Sequence, residues 1–259
     1  MNITIINDCC DANAAGRQIT RAVSLIGGVV SFIGVASDLE ASGNLVDALD
    51  ACGENSGIIL VNVAPRNGKA KRWNNGTPFG YFWYKKILVV ATIDGLTLSF
   101  VKKLGLVQSI NVLDIPTVLD VLVEDNKNEF KKHIANSQFR SYDFLPRIAR
   151  FLLKHKGVRS TPLNTDEIPN PPSAIWWIDN FGNCKTSILP EEVIHKGNNR
   201  VATKLGNLFY CPRLKDVPEK SAALVIGSSG IENKRFLEIV VQGKNAAKHF
   251  SLSSGDLIL

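Results

Sequence analysis

What this sequence has little of narrows its chemistry first. Its four histidines (His133, His155, His195 and His249) are dispersed, and none pairs with a cysteine at ligand spacing, so a metal site is not expected. No CxxC pair occurs. The five cysteines, Cys9, Cys10, Cys52, Cys184 and Cys211, are odd in number, and adjacent Cys9 and Cys10 cannot close an ordinary disulfide. A reduced, cytoplasmic chain is the expectation. No apolar run approaches the roughly eighteen residues of a membrane-crossing helix, and the opening "MNITIINDCC" lacks the basic and apolar regions of a leader. No membrane partner is therefore expected. Internal repeats and low-complexity tracts are also missing. The net charge of +6 permits an anionic partner. The basic residues are nevertheless scattered, with no arm or stripe, which speaks against a nucleic-acid binder.

What is present is an ordinary globular composition in 259 residues, enough for one large domain or two modest ones. The first half alternates strand and helix signals. "ITII", "GVVSFIGVA" and "SGIILVNVA" read as strands, and "GYFWYKKILVVATID" as one long strand or a hairpin. Between them "GRQITRAVSLIG" and "DLEASGNLVDALDAC" carry apolar residues at helical spacing, and "LTLSFVKKLG" turns helical before Gly105. Two further helices are expected in "TVLDVLVEDNKNEFKKHIA" and "YDFLPRIARFLLKHKG". This order predicts an α/β N-terminal domain with a mostly parallel sheet and helices on both faces, residues 1–156. Residues 157–172, "GVRSTPLNTDEIPNPP", hold four prolines and read as a linker. Residues 173–259 are all β, with short strands from "SAIWWI" to "DLIL", and predict a barrel-like domain.

Polar residues at strand ends are the candidates for a site, because ligands of open α/β sheets lie outside the carboxyl ends of the strands. Asp8 follows the strand "ITII". Its carboxylate suits a vicinal diol such as a ribose, or it caps the next helix, a role for which Asp11 and Asn13 compete. "PRNGKAKRWNNGTPFG" after Ala64 is a long polar loop at the same edge of the sheet. Asp94-Gly95 reads as a turn. In the second half, the break Asp179-Asn180-Phe181-Gly182-Asn183 holds more chemistry than a hairpin turn needs, and Gly227-Ser228-Ser229-Gly230 offers amides and hydroxyls to a carboxylate or phosphate.

Taken in order, these pieces resemble the S-adenosylmethionine (SAM) hydroxide adenosyltransferases and their halide-using relatives, fluorinase and chlorinase. Asp179-x-Phe181-Gly182-Asn183 followed by Thr186 is similar to that family's Ile-Asp-x-Phe-Gly-Asn-x-x-Thr-Asn element. "GSSG", "FLEIVVQGKNAA" and "LSSGDLI" follow its Gly-Ser-x-Gly, Leu-Glu-Ile-Ala and closing Gly-Asp elements. Asp8, "VAPRNGKAKR" and "QFRSYDFLP" parallel three N-terminal elements. The resemblance implies a homotrimer holding SAM between one subunit's N-terminal domain and a neighbour's C-terminal domain. It implies that Asp8 binds the ribose hydroxyls, that Asp179 and Ser228, with Ser229 beside it, hold the methionyl amine and carboxylate, and that Phe181 and Asn183 border the nucleoside. Asn67 and Phe139 fall in matching binding strips. No cofactor beyond SAM as substrate is implied.

The implied chemistry is displacement at C5′ of the ribose. The sulfonium leaves without protonation, so the site aligns and desolvates a nucleophile. Water-using members of the family carry an Asp-Arg-His set. Ala64 stands in place of the Asp, Lys71 (or Arg72 with a shift) in place of the Arg, and Arg140 in place of the His. Ala64 is no base, and an arginine stays protonated. Water or hydroxide is the expected nucleophile, favoured by cationic Lys71 and Arg140. Halide is the alternative, because Ser141 falls at the serine of the halide pocket; capping of the following helix is the plain reading of that serine. A SAM or adenosine binder without turnover is a third reading, and a basic nucleic-acid or protein-interaction module a fourth.

Overall fold

Apolar residues spaced two apart in the first strands divide between two buried faces and set the frame of the N-terminal half. The structure is a computed structural model that describes residues 1–64, 77–123, 127–196 and 199–259. It divides into two units, Met1–Pro169 and Asn170–Leu259. The first unit runs β1 (Asn2–Asn7), α1 (Ala12–Ile26), β2 (Val29–Gly34), α2 (Asp38–Cys52), β3 (Gly57–Asn62), β4 (Phe79–Tyr84), β5 (Ile87–Thr92), α3 (Ser99–Lys103), β6 (Ser109–Leu113), α4 (Ile115–Leu122), α5 (Asn128–Ala135), α6 (Arg140–Asp143), α7 (Leu145–His155) and β7 (Thr161–Asn164). Its sheet has the order β2-β1-β3-β5-β4-β6-β7. β1, β2, β3 and β5 pair in parallel, β6 shares their direction, and β4 and β7 run against them.

Ile3, Ile5, Ile58, Leu60, Leu88 and Val90 share a core with Ala22 of α1 and Ile148 and Leu152 of α7. The alternate residues, among them Ile6, Ile59 and Val61, are equally buried and turn to the face that carries α2. Burying a side chain of that size is worth about 1.5–3 kcal/mol, so both faces hold their helices in place. Local signals start those helices. Asp11 caps α1 by accepting from the Asn13 and Ala14 amides, and Ser37 caps α2 through the Glu40 amide.

Three expectations need correction. Each of the two helices expected between residues 117 and 157 is broken in two. The backbone turns extended at Val123 after α4, and Pro146 opens α7, where its missing N–H costs nothing, after the short α6. The stretch 157–172 expected as a linker gives β7, which pairs antiparallel with β6 as an edge strand. Pro162 is tolerated there because an edge position needs no amide on its open side. The boundary between the units falls at Pro169–Asn170. The Asp94-Gly95 turn is as expected: Gly95 adopts φ +64°, and the Gly95 amide donates to Asp94 Oδ1 at 3.0 Å. No helix among the described residues is long and apolar enough to cross a membrane.

The second unit runs β8 (Ile175–Ile178), β9 (Cys184–Thr186), β10 (His195–Lys196), β11 (Arg200–Thr203), β12 (Gly206–Cys211), β13 (Ala222–Ile231), β14 (Lys234–Val241) and α8 (Ala246–Phe250). The sheet order is β10-β11-β12-β13-β14-β9-β8, antiparallel except between β12 and β13. These ladders draw a sheet, and barrel closure is not among them. The closing "DLIL" makes a single bridge, Leu257 with Ala174, rather than a strand. It ties two parts of the unit: the Ile258 amide donates to Ser173 O at 2.8 Å, and the Lys204 amide to Ile258 O at 2.9 Å. Ile175, Cys184, Leu224, Leu237, Ile239 and Ile258 form the core. The sequence reading missed α8; its signal was Asn245, which caps the helix by accepting from the Lys248 amide.

Candidate functional site

The loop between β8 and β9 is built by its own acid. Asp179 Oδ1 accepts from the amides of Phe181 (2.9 Å) and Asn183 (2.8 Å), and Oδ2 accepts from Asn183 Nδ2 at 3.0 Å. The Asp179 amide donates to Asn183 O, and the Gly182 amide to Asp179 O. Three of the roughly four acceptor positions of a carboxylate are thereby used, and one remains. No basic side chain pairs with Asp179 among the described residues. Gly182 adopts φ +86°, and a Cβ there would lie 2.0 Å from Asn245 Cγ, so both conformation and packing demand glycine. With the loop folded this way, Phe181 is left 73% exposed. A bare aromatic face beside an uncompensated carboxylate suits a flat, cationic ligand.

Cys184 follows directly. Its side chain is buried, and burial together with the charges of Asp179 and Asp256 pushes the thiol up to about 12. It is a packing residue, since a thiol held neutral is no nucleophile.

The "GSSG" run is not a turn. It lies inside β13, where the register against β14 slips between Ile226 and Gly230. The extra residues bulge out. Gly230 adopts φ +124°, and a Cβ there would meet Lys234 O at 2.2 Å. The two serines separate: Ser228 is exposed, whereas Ser229 is 1% exposed and its Oγ takes the Lys185 ammonium at 2.6 Å. Lys185 Nζ also lies 4.0 Å from Glu238 Oε1, and Glu238 accepts from the Ser228 amide at 3.2 Å. Lys185 and Glu238 are thus the hidden frame of the bulge. Sequence reasoning passed over both. Their signal was a lysine within the short β9 and, in β14, a glutamate set inside the apolar run from Phe236 to Val241.

In the N-terminal unit, Asp8 sits just beyond β1, where the chain order reverses: β2 lies on one side of β1 and β3 on the other. This is the switch point at which α/β sheets bind ligands. Since Asp11 is the cap of α1, Asp8 is not. Asp8 Oδ2 accepts from the Ala64 amide at 3.0 Å, which joins the ends of β1 and β3. Buried Asn7 and Gln18, also missed from sequence, fix the loop that carries Asp8. Asn7 Nδ2 donates to Gln18 Oε1 (2.5 Å), Asn7 Oδ1 accepts from the Cys9 amide (2.9 Å), and Gln18 Nε2 donates to Cys9 O (3.1 Å).

Phe139, Arg140 and Ser141 stand together around the start of α6. Phe139 stacks on Tyr142 at 5.5 Å, and the Arg140 guanidinium lies over Phe79 at 5.4 Å, with burial lowering its pKa. Ser141 lies within α6 and does not cap it, contrary to the plain reading: Phe139 is the N-cap residue, without a side-chain bond. The Ser141 hydroxyl is buried and has no hydrogen-bond partner among the described residues. Asn67 and Lys71 lie outside the described residues.

Comparison with known proteins separates fold from family. A conserved protein of Thermotoga maritima described as uncharacterized aligns with a TM-score of 0.68 at 18% identity, over 99% of this chain and 98% of its own. A conserved hypothetical protein of Thermus thermophilus aligns with a TM-score of 0.56 at 17% identity, over 98% and 97%. At those identities the likeness is one of fold. No curated protein matches the chain. Residues 173–259, the span that holds the Asp179 loop and the β13 bulge, match the family model of the SAM hydroxide adenosyltransferase C-terminal domain. The family likeness therefore rests on residues 173–259, which are similar to the C-terminal domain of the SAM hydroxide adenosyltransferases.

Proposed function

We propose that this protein binds SAM and cleaves it at C5′ of the ribose, with water or hydroxide as nucleophile and adenosine and methionine as products. The observation that carries the reading is the Asp179 loop: a carboxylate with an acceptor position left and no cationic partner among the described residues, next to exposed Phe181. An ammonium fits the first and a purine the second. Asn183 borders the nucleoside, and exposed Ser228 meets the methionyl carboxylate, while Ser229 shapes the bulge through Lys185. Asp8, at the switch point of the first sheet, takes the ribose hydroxyls. A sulfonium is already a good leaving group, so the protein's work is to orient the nucleophile and strip its water. Arg140 acts as a fixed cation that lowers the pKa of a bound water; that water gives its proton to bulk solvent, hydroxide forms the new bond to C5′ as the bond to sulfur breaks, and Arg140 itself is not a base. Lys71 and Asn67 complete the set on the strength of the resemblance, as do Phe139 at the pocket and a homotrimeric, cytoplasmic enzyme.

A second reading has one observation of its own. The partnerless, buried hydroxyl of Ser141 is, among the described residues, a donor left over for a small anion, as a halide nucleophile requires. One experiment tests both: incubation with SAM, with and without chloride or fluoride, and chromatography of the products. Adenosine with methionine supports hydrolysis. A 5′-halo-5′-deoxyadenosine that disappears in Ser141→Ala supports halide attack. Unchanged SAM after prolonged incubation overturns cleavage and leaves a binder.

A further inference from the structure

The N-terminal unit carries a cleft that the reading above does not use. It has a volume of about 500 Å³ and lies along one face of α1, against Tyr142 of α6. Arg17, Thr20, Arg21 and Ser24 line it, at the spacing that puts residues on one side of a helix. The Arg17 guanidinium lies over the rings of Phe139 (5.1 Å) and Tyr142 (4.8 Å), and that of Arg21 over Tyr142 at 4.2 Å. Stacking fixes the planes of these groups and leaves N–H donors at their edges. Arg21 also donates to Tyr142 Oη, so the Tyr142 hydroxyl proton is available to a further acceptor.

Two features set this cleft apart from a solvated basic surface. First, no carboxylate pairs with Arg17 or Arg21 among the described residues. A further cation stands nearby, Arg147, whose pKa is lowered by burial and by the charge of Arg21, with the Asp143 carboxylate acting in the opposite direction. Second, Gly16 forms part of the wall. Glycine within a helix is unfavourable, and a Cβ at Gly16 would meet nothing within 4 Å, so packing does not require it. Its missing side chain keeps the cleft open beside the arginines. The amides at the start of α1 contribute nothing, because Asp11 occupies those of Asn13 and Ala14.

We propose that this cleft binds a phosphate-bearing small molecule. Arg17 and Arg21 take the oxyanion, and the hydroxyls of Thr20 and Tyr142 take its remaining oxygens. Two fixed guanidiniums match the charge of a phosphate, about −1.5 to −2 near neutrality, and the volume lies in the range of small-molecule sites. The probe is inorganic pyrophosphate, titrated calorimetrically into the whole chain at about 0.1 M salt, with succinate as a second arm. Saturable binding of pyrophosphate is expected, weakened about tenfold or more by Arg17→Gln and by Arg21→Gln. Gly16→Leu keeps both charges but fills the cleft, and is expected to abolish binding. Thermal unfolding checks that each variant folds; if Arg21→Gln does not, Arg17→Gln and Gly16→Leu decide. Absence of pyrophosphate binding, equal binding in Gly16→Leu, or a preference for succinate overturns the proposal. No SAM is involved, so the result is independent of the reading above.

Discussion

Replacing Asp179 with asparagine separates the two tasks assigned to that carboxylate. The shape is kept, and the asparagine oxygen still accepts from the amides of Phe181 and Asn183, now as a neutral acceptor of roughly half the strength. The contact with Asn183 Nδ2 becomes nitrogen against nitrogen unless the Asn183 amide turns over. Because the loop is partly exposed and water replaces what is lost, Asp179→Asn is expected to cost about 1–2 kcal/mol of stability. Its effect on SAM is separate and larger. Loss of a charge-assisted bond to the ammonium is worth about 1.5–3 kcal/mol, or about tenfold to a hundredfold in Kd. Adenosine, which has no ammonium, supplies the control. Calorimetry on parent and variant with both ligands is expected to show SAM weakened and adenosine little changed. Equal weakening of both would mean that the substitution only distorts the loop. Unchanged SAM affinity in a folded variant would refute the assignment of Asp179 to the ammonium.

Two further predictions concern the same loop. Gly182→Ala forces a side chain into φ +86° and against Asn245, and is expected to cost about 2 kcal/mol or more. Part of that loss is expected to return in the double variant with Asn245→Ala, and strict additivity in urea unfolding would refute the steric account. Alkaline pH tests Cys184, whose thiol stays protonated up to about 12 in the folded chain but titrates near its ordinary value of 9.0 when unfolded. The unfolded state therefore binds fewer protons above about pH 9, so this contribution to stability is complete below about pH 9 and is lost as pH rises toward about 12. Urea midpoints at about pH 8 and about pH 10.5 are expected to fall less steeply in Cys184→Ala. Cys52 and Cys211, also raised by burial, account for a remaining slope, and an unchanged slope in the variant would refute the claim.

Much of this molecule was legible in its residues, for local reasons. Buried strands such as β3 and β5 are continuous apolar runs, and the helices between them show their spacing and their caps, so the α/β half and the β half follow from pattern alone. The likeness of residues 173–259 to the SAM hydroxide adenosyltransferase C-terminal domain and the loop from Asp179 to Asn183 were legible too, because glycine and acid at fixed offsets are local features. Misreadings arose where a local signal has two meanings. Prolines around residue 162 mark a linker or an edge strand, and only pairing with β6 decides between them.

Sequence by itself determined which segments are strands and helices and which residue types gather in the Asp179 loop, since propensity, periodicity and turn chemistry act between near neighbours. Tertiary structure decided the rest. It made Ser229 a partner of Lys185 and left Ser228 to solvent, because a bulge breaks the alternation that would otherwise assign their faces. Among the described residues it withheld a counterion from Asp179, Arg17 and Arg21 and a partner from Ser141. Whether a charge or a hydroxyl is satisfied depends on groups that only folding brings within hydrogen-bond reach, and that distance is not written in the order of residues.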